Sequence, residues 1–518
     1  MQQQSVDIRT VYPVSSSLLP RDLHLDDPLQ LPELLAGHSE LCVEYPFLPD
    51  LTAVERAWYR TEQCRENIPE NPDQCIINPT LDIVQVGWNN LLDFMLNSAE
   101  TPQAGEGHIM ALRRPENGKV RLLQATGHDL LALKIVSEDI SVDEAAREGG
   151  VTTGTIDNIL RAAVQRGLLV APKSRIVRSD DFPRGQNIDP KWFSSPTFTL
   201  QWHITQACDL HCRHCYDRSD RSVMALDRGI AILDDLHDFS RSHNVHSQVT
   251  FTGGNPMLYP HFIELYRAAS DRGFMTAILG NPMPRHRIEE MLAIRKPEFY
   301  QVSLEGLEEH NNYIRGKGHF KRTLEFLDLL RELDVFSMVM LTLTRLNMDE
   351  VMDLAELLRN RVDLFTFNRL AMVGEGAALA SAPPERYPAF LQKYMEAAAA
   401  NPCMGLKDNL FNLLRHEQEK PYVGGCAGYG CGAAFNFVSL LPDGEVHACR
   451  KLPSHIGNIF EQSLDAIYHG DAARRYRLGS SACAQCDIRP VCGGCPAVNY
   501  GFGNDIFNDL DPYCFQKR

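Results

Sequence analysis

Nowhere does the chain approach the ~18 consecutive apolar residues that a membrane helix requires, so a membrane-spanning reading fails at the outset. The opening MQQQSVDIRT carries neither the basic stretch nor the apolar run of a secretory signal, and the expected location is the cytoplasm. Positive charge is also short. Fifty-one Lys plus Arg face 67 Asp plus Glu, a formal net charge of −16, the wrong sign for an electrostatic nucleic-acid binder unless a local basic patch exists. Compositional bias is lacking too: 44% hydrophobic and 23% charged residues are ordinary globular values, which excludes low-complexity and collagen-like chains.

Cysteine, by contrast, is plentiful. Of 15 cysteines, eleven fall in short-spaced groups, and in a 518-residue chain without a signal segment this pattern points to metal or redox chemistry over disulfides. At roughly 150 residues per domain the length suggests about three domains.

Residues 1–105 are rich in Pro, Asp, Glu and Leu, with helices expected over 51–64 and 83–97 between Pro-containing loops, and no function is assigned to them. From Gly107 the pattern changes. HIMALRR and ENGKVRLLQA read as two strands around an Asn117-Gly118 turn. Three segments at helical spacing follow, HDLLALKIV, SVDEAAREGG and TTGTIDNILRAAVQRGLLV, with Ser141 placed to cap through Glu144 and a closing strand in LLVAP. Two strands, three helices and a closing strand over 106–176 make a winged-helix-like domain. It resembles the precursor-recognition domain of peptide-modifying enzymes; a plain accessory module and a DNA-binding helix-turn-helix stay open.

A polar, Pro-containing linker is expected at 177–194. Beyond it TFTLQWHIT, SQVTFTG, FMTAILG, FYQVSLEG, VFSMVMLTLT and VDLFTFNRL alternate with helical segments. Six such repeats over 195–375 describe an α/β fold, a partial (β/α)6 TIM-type barrel, open on one side and carrying its sites at the carboxyl ends of the strands. A helical connection is expected over 376–420.

Directly after the first barrel strand, Cys208, Cys212 and Cys215 stand in a C-x3-C-x2-C spacing, close enough for one loop to wrap three thiolates around one cluster. A four-iron cluster held by three cysteines keeps one iron open for a substrate or cofactor, as a catalytic zinc keeps one position open. Zinc is the alternative occupant of three nearby cysteines. The spacing, with His214 in the usually aromatic place, resembles the signature of the radical S-adenosylmethionine (SAM) superfamily. That resemblance runs strand by strand over 195 to about 375. It implies a 4Fe–4S cluster on Cys208, Cys212 and Cys215 that binds S-adenosyl-L-methionine and generates a 5′-deoxyadenosyl radical. Gly253 and Gly254 in TFTGGNP are then expected to let backbone approach the methionyl amino group, with Asn255 standing where the family usually has Glu. Ser303 and Glu305 in VSLEG match residues facing ribose and methionine. Arg315 in YIRGKGHF matches an arginine near the carboxylate, unless it merely pairs with an acidic neighbour. Gly280, Asn281 and Asn347 are weaker matches. His203, His211 and His214 around the loop are assigned to packing or hydrogen bonding.

Eight cysteines occupy the last hundred residues: Cys426, Cys431, Cys449, Cys483, Cys486, Cys492, Cys495 and Cys514. Their order over 421–518 resembles the twin-cluster SPASM extension, one residue short where Gly493 and Gly494 lie. The resemblance implies Cys426, Cys431, Cys449 and Cys495 for an inner auxiliary 4Fe–4S cluster and Cys483, Cys486, Cys492 and Cys514 for an outer one, three clusters in all. Zinc ribbons are the alternative. LLPDGEVHAC reads as a hairpin turning at Asp443-Gly444 to present Cys449. Sulfatase maturases of this family have an aspartate base after the corresponding cysteine; here stands Arg450, which cannot act as a base. Cys42, Cys64, Cys75 and Cys403 are expected to be buried structural thiols.

Together the three parts resemble radical SAM/SPASM maturases of ribosomally made peptides, among them thio(seleno)oxazole maturases with their long N-terminal extension. A precursor peptide would be the substrate, its leader adding a strand to the N-terminal domain. A flavodoxin- or ferredoxin-type protein would donate electrons. The product would be a thioether, carbon–carbon bond or heterocycle. A sulfatase-maturase-like protein dehydrogenase and an iron–sulfur DNA-binding regulator are the rival readings.

Overall fold

A computed structural model describes residues 7–19, 25, 27–37, 39–97 and 101–516. The chain divides into two compact units, the first up to Lys173 and the second from Ser174.

The core of the first unit is set by one strand. In β3 (Gln103–Arg113) four consecutive residues, Ile109 to Leu112, are buried, the signature of a strand covered on both faces. It is the middle of an antiparallel sheet, flanked by β2 (Asp82–Asn89) and β4 (Val120–Gln124). Ile109 packs with Val86 and with Leu48, Leu51 and Val54 of the helix Leu48–Gln63. Met110 and Leu112 point the other way, into a core shared with Leu133, Ile156 and Ala163 of the helices Gly127–Ser137 and Thr153–Arg166. The helix Val142–Gly149 starts at Ser141, whose hydroxyl accepts the Glu144 N–H. Two short strands, β1 (Ile76–Ile77) and β5 (Leu169–Val170), close the unit as an antiparallel pair.

Two expectations change here. The stretch 83–97 is not one helix: β2 occupies its first half and the helix Leu91–Asn97 its second. In DIVQVGW the period is two, with Val86 buried and Gln85 and Gly87 exposed, so the pattern is that of a half-buried strand. The boundary at 105 falls inside β3, and β2 supplies a third strand to the sheet, so residues before 106 share one sheet with those after it. Residues 1–6 lie outside those described.

In the second unit six parallel strands, β6 (Thr197–Thr205), β7 (His246–Gly253), β8 (Met275–Leu279), β9 (Phe299–Ser303), β10 (Ser337–Leu343) and β11 (Leu364–Arg369), pair in sequence order. The helices Leu226–Ser242, Phe262–Asp271, Arg285–Leu292, His319–Glu332 and Val351–Leu358 lie between them, giving the expected partial barrel. The sheet does not stop at β6. β12 (Phe437–Leu440) adds to it in parallel, followed by β13 (Glu445–His447) and β14 (His455–Asn458) as antiparallel neighbours, so the cysteine-rich end extends the barrel sheet to nine strands. The β12–β13 turn carries Gly444 at φ +85°, as the Asp443-Gly444 reading requires.

The stretch 177–194 is more than a linker. Arg178 is buried, and its guanidinium donates to the carbonyls of Tyr429, Cys431 and Arg477. Among the described residues, no helix is long and apolar enough to cross a membrane.

Candidate functional site

The loop after β6 brings Cys208, Cys212 and Cys215 onto the wall of a 310 Å³ cavity, which Gly253, Gly254, Ser303 and Arg315 also line. It lies at the carboxyl ends of the barrel strands. None of the fifteen cysteines is paired in a disulfide. Burial pushes the Cys212 and Cys215 thiols up, and the neighbouring cysteines add to the shift. A cation among the three sulfurs reverses both penalties, which is the fit a metal cluster demands.

Each sulfur also has a placed neighbour. Arg315 Nη1 donates to Cys212 Sγ at 3.7 Å, Asn281 Nδ2 to Cys208 Sγ at 3.6 Å, and the Cys215 thiol to the Asp217 carbonyl at 3.1 Å. Arg315 is itself fixed by Glu305, whose Oε1 accepts from Nε at 2.9 Å and from Nη2 at 2.6 Å. Burial alone would raise the Glu305 carboxyl, but the His214 and Arg315 charges, with hydrogen bonds from His214 and the Thr342 N–H, hold it well below the carboxylate range.

Some expected roles move. Glu305 does not line the cavity; its carboxylate is spent on Arg315 and the Thr342 N–H, so it positions Arg315 from behind. Asn347 works one layer further back, donating to the Glu305 and Thr342 carbonyls. Gly253 and Gly254 line the cavity, yet the room their missing Cβ atoms leave is taken by the chain itself. A Cβ on Gly253, at φ +123°, would stand 2.2 Å from the Thr205 carbonyl oxygen, and one on Gly254 2.2 Å from that of Ala207. The glycines therefore let β7 end against the start of the cysteine loop. Asn255 is fully buried and ties the same loop, its Nδ2 donating to Asp209 Oδ1 at 3.0 Å. Asn281 donates to that oxygen at 2.6 Å. Asp209, which no spacing motif singles out, is thus the pin of the cysteine loop.

The C-terminal cysteines separate into two groups of four. Cys426, Cys431, Cys449 and Cys495 line a 240 Å³ cavity, and Cys483, Cys486, Cys492 and Cys514 another of 590 Å³. Within each group the thiols raise one another, after burial, which lifts Cys449 to about 11 and Cys495 to about 12. The one-residue deficit is absorbed by Gly493 and Gly494, both left-handed, with Cys495 N–H donating to Asp511 Oδ2 at 2.8 Å.

The first two cavities have a wall in common, including Gln301, Met340, Asn368, Arg369, Arg450 and Lys451. Arg450 donates to Thr252 Oγ1 at 3.4 Å. Burial, then the nearby Lys407 charge, brings Lys451 down to about 8. Lys407 and Lys451 escaped the sequence reading because neither belongs to a spacing motif.

The model of the radical SAM superfamily matches residues 202–358, and that of the iron–sulfur cluster-binding SPASM domain residues 431–496. Residues 202–358 thus form a radical SAM domain and residues 431–496 a SPASM domain. The first domain implies a 4Fe–4S cluster and S-adenosylmethionine, and the second implies additional iron–sulfur clusters. The chain is similar to the AdoMet-dependent heme synthase of Methanosarcina barkeri, 26% identical over 61% of this chain and 96% of that enzyme. It is similar to the mycofactocin maturase MftC of Mycolicibacterium smegmatis, 27% identical over 61% of this chain and 82% of the relative. Among solved structures, Streptococcus suis SuiB bound to the precursor peptide SuiA shares the fold, with a TM-score of 0.52 at 16% identity over 78% of this chain and 96% of that one.

Proposed function

We propose that this radical SAM protein matures a ribosomally synthesised precursor peptide, abstracting a hydrogen from one residue and oxidising the product into a thioether, carbon–carbon or heterocyclic linkage. The observation that carries the reading is the wall common to the cavities of Cys208 and Cys449. A substrate residue held at the first stands beside the second.

In this reading Cys208, Cys212 and Cys215 hold the cluster that binds S-adenosylmethionine, and the two C-terminal groups of four hold one auxiliary cluster each. When bound, these groups supply a 5′-deoxyadenosyl radical at the barrel mouth and an outlet for the second electron. Arg315, pinned by Glu305, presents its charge to the methionyl carboxylate, while Ser303 addresses the cofactor from β9. Asp209, held by Asn255 and Asn281, keeps the cysteine loop closed against β7. A flavodoxin- or ferredoxin-type donor reduces the first cluster. Arg450 supplies no base, which sets this chain apart from sulfatase-maturase chemistry.

Support for a peptide substrate comes from the MftC relative and from the fold likeness to peptide-bound SuiB. That likeness covers more of the chain than the second unit alone contains. The heme synthase relative supports a second reading, oxidation of a tetrapyrrole. The two separate in one experiment. Reconstituted enzyme is given S-adenosylmethionine, reductant and either candidate leader-bearing peptides or an iron-porphyrin precursor, and 5′-deoxyadenosine and substrate mass are followed. Peptide-dependent release with loss of two mass units supports maturation; release stimulated only by the porphyrin overturns it.

A further inference from the structure

We propose that His243, Asp465 and His469 form a zinc site that clips the helix Leu464–His469 to the end of the barrel helix Leu226–Ser242. The three donor atoms converge: His243 Nε2 lies 3.2 Å from His469 Nε2 and 3.6 Å from Asp465 Oδ1, and the last two are 3.7 Å apart. Four ligands at zinc–nitrogen and zinc–oxygen lengths of about 2.0–2.2 Å stand roughly 3.3–3.6 Å from one another at tetrahedral angles. The observed triangle has that size.

The site is also built from behind. His243 Nδ1 lies 2.9 Å from the Phe239 carbonyl oxygen, an atom that can only accept, so Nδ1 carries the proton and Nε2 keeps its lone pair for a metal. The ring is buried, stacked on Phe239 at 4.1 Å and on His469 at 5.4 Å. Asp465 and His469 are four residues apart on one helical face. Their helix is held by the Ser463 cap, by Asp235 accepting the Leu464 N–H at 2.8 Å, and by buried Leu464, Ile467 and Tyr468. No side chain has to move far to ligate.

Two imidazoles and one carboxylate favour zinc over the all-oxygen cations. Asp465 and His469 are 55% and 59% exposed, which leaves a fourth position for water. The site sits just before β7, at the amino end of the barrel strands and away from the cysteine loop. Its role is therefore to fasten the segment after β14 to the barrel, independently of the radical chemistry.

The test uses reconstituted full-length enzyme, its cysteines occupied by iron, equilibrated with zinc chloride and desalted. Metal content is read by mass spectrometry and the zinc environment by X-ray absorption. One zinc per chain beyond the iron is expected, with a nitrogen and oxygen shell. Asp465→Ala and His469→Ala, both at exposed positions, should weaken it by more than the about 10–100-fold that loss of a ligand's hydrogen-bond partner costs. Their iron content should be unchanged. Zinc retained equally by His469→Ala, a sulfur shell, or no zinc in the wild-type chain overturns the proposal; in the last case a His469 Nε2–H to His243 Nε2 hydrogen bond accounts for the contact.

Discussion

Glu305 and Arg315, ten residues apart, form a buried ion pair at 2.6 Å whose guanidinium also reaches the Cys212 sulfur. Both members are out of water, so breaking the pair leaves an uncompensated charge beside the cysteine loop, a loss of about 3–5 kcal/mol. Glu305→Gln is expected to lower unfolding stability by that order in denaturant titrations and to slow S-adenosylmethionine cleavage. Because the folded-state carboxyl is depressed below its ordinary 4.5, the pair's contribution is present above that pH and is lost as pH falls below it. The stability gap between wild type and Glu305→Gln should thus be flat at neutral pH and shrink under acid. A gap that persists unchanged into acid would show that the charge is not what matters.

Gly254→Ala tests the abutment of β7 on the cysteine loop. The added methyl meets the Ala207 carbonyl oxygen at 2.2 Å, backbone that cannot rotate aside. Overpacking of this kind costs about 1–3 kcal/mol. The displaced segment carries Cys208, so iron bound after reconstitution should fall along with the melting temperature. A variant that melts lower but keeps full iron and cleavage would disconnect the glycine from the loop.

The two classes of cysteine should separate in their phenotypes. Cys208→Ala is expected to abolish 5′-deoxyadenosine release and remove about four irons per chain, one 4Fe–4S complement. Cys449→Ala should remove a similar quantity from the inner auxiliary group while leaving some cleavage, and stop formation of the oxidised product. Identical loss of cleavage in both would mean that the groups are not independent.

The three-cysteine loop was legible because one short segment carries Cys208, Cys212 and Cys215. The sorting of the eight C-terminal cysteines rested instead on the resemblance to the SPASM extension and not on spacing, since Cys495 groups with distant Cys426 and not with neighbouring Cys492. The six barrel strands announced themselves as near-continuous apolar runs, as doubly covered parallel strands do. What stayed hidden acts over long separations or through backbone. The pairing of β12 with β6 joins residues more than two hundred positions apart with no local trace. Asp209 acts by accepting from two asparagines on other strands' ends. The helix expected over 83–97 failed because a short alternating strand followed at once by a helix gives a mixed period.

The first unit is expected to serve substrate capture and not radical generation. Among the described residues its three-stranded sheet has β3 in the centre, which leaves β2 and β4 as the edges of that sheet for an added strand. A chain beginning at Ser174 keeps every cysteine of the three groups. It should cleave S-adenosylmethionine in the absence of peptide at a rate near wild type, yet lose at least about tenfold, some 1.4 kcal/mol, in affinity for a leader-bearing peptide by fluorescence anisotropy. Unchanged peptide affinity would move recognition into the barrel.

Arg178 makes the last case, because a residue in an apparent linker holds the loop that carries Cys431. Its guanidinium lies over the Phe435 ring at 3.8 Å and donates to the carbonyls of Cys431 and Tyr429 at 2.9 and 3.2 Å. Arg178→Met keeps the apolar stem but leaves these buried acceptors without a donor, about 1–3 kcal/mol for each that finds no water. The loop bearing Cys426 and Cys431 should loosen before the barrel does. Iron counting on the reconstituted variant should therefore show a deficit of about four per chain, while S-adenosylmethionine cleavage persists, since Cys208, Cys212 and Cys215 stand on a different loop. Full iron occupancy would reduce Arg178 to a packing residue; a collapse of cleavage together with the iron would place it in the architecture of the whole barrel.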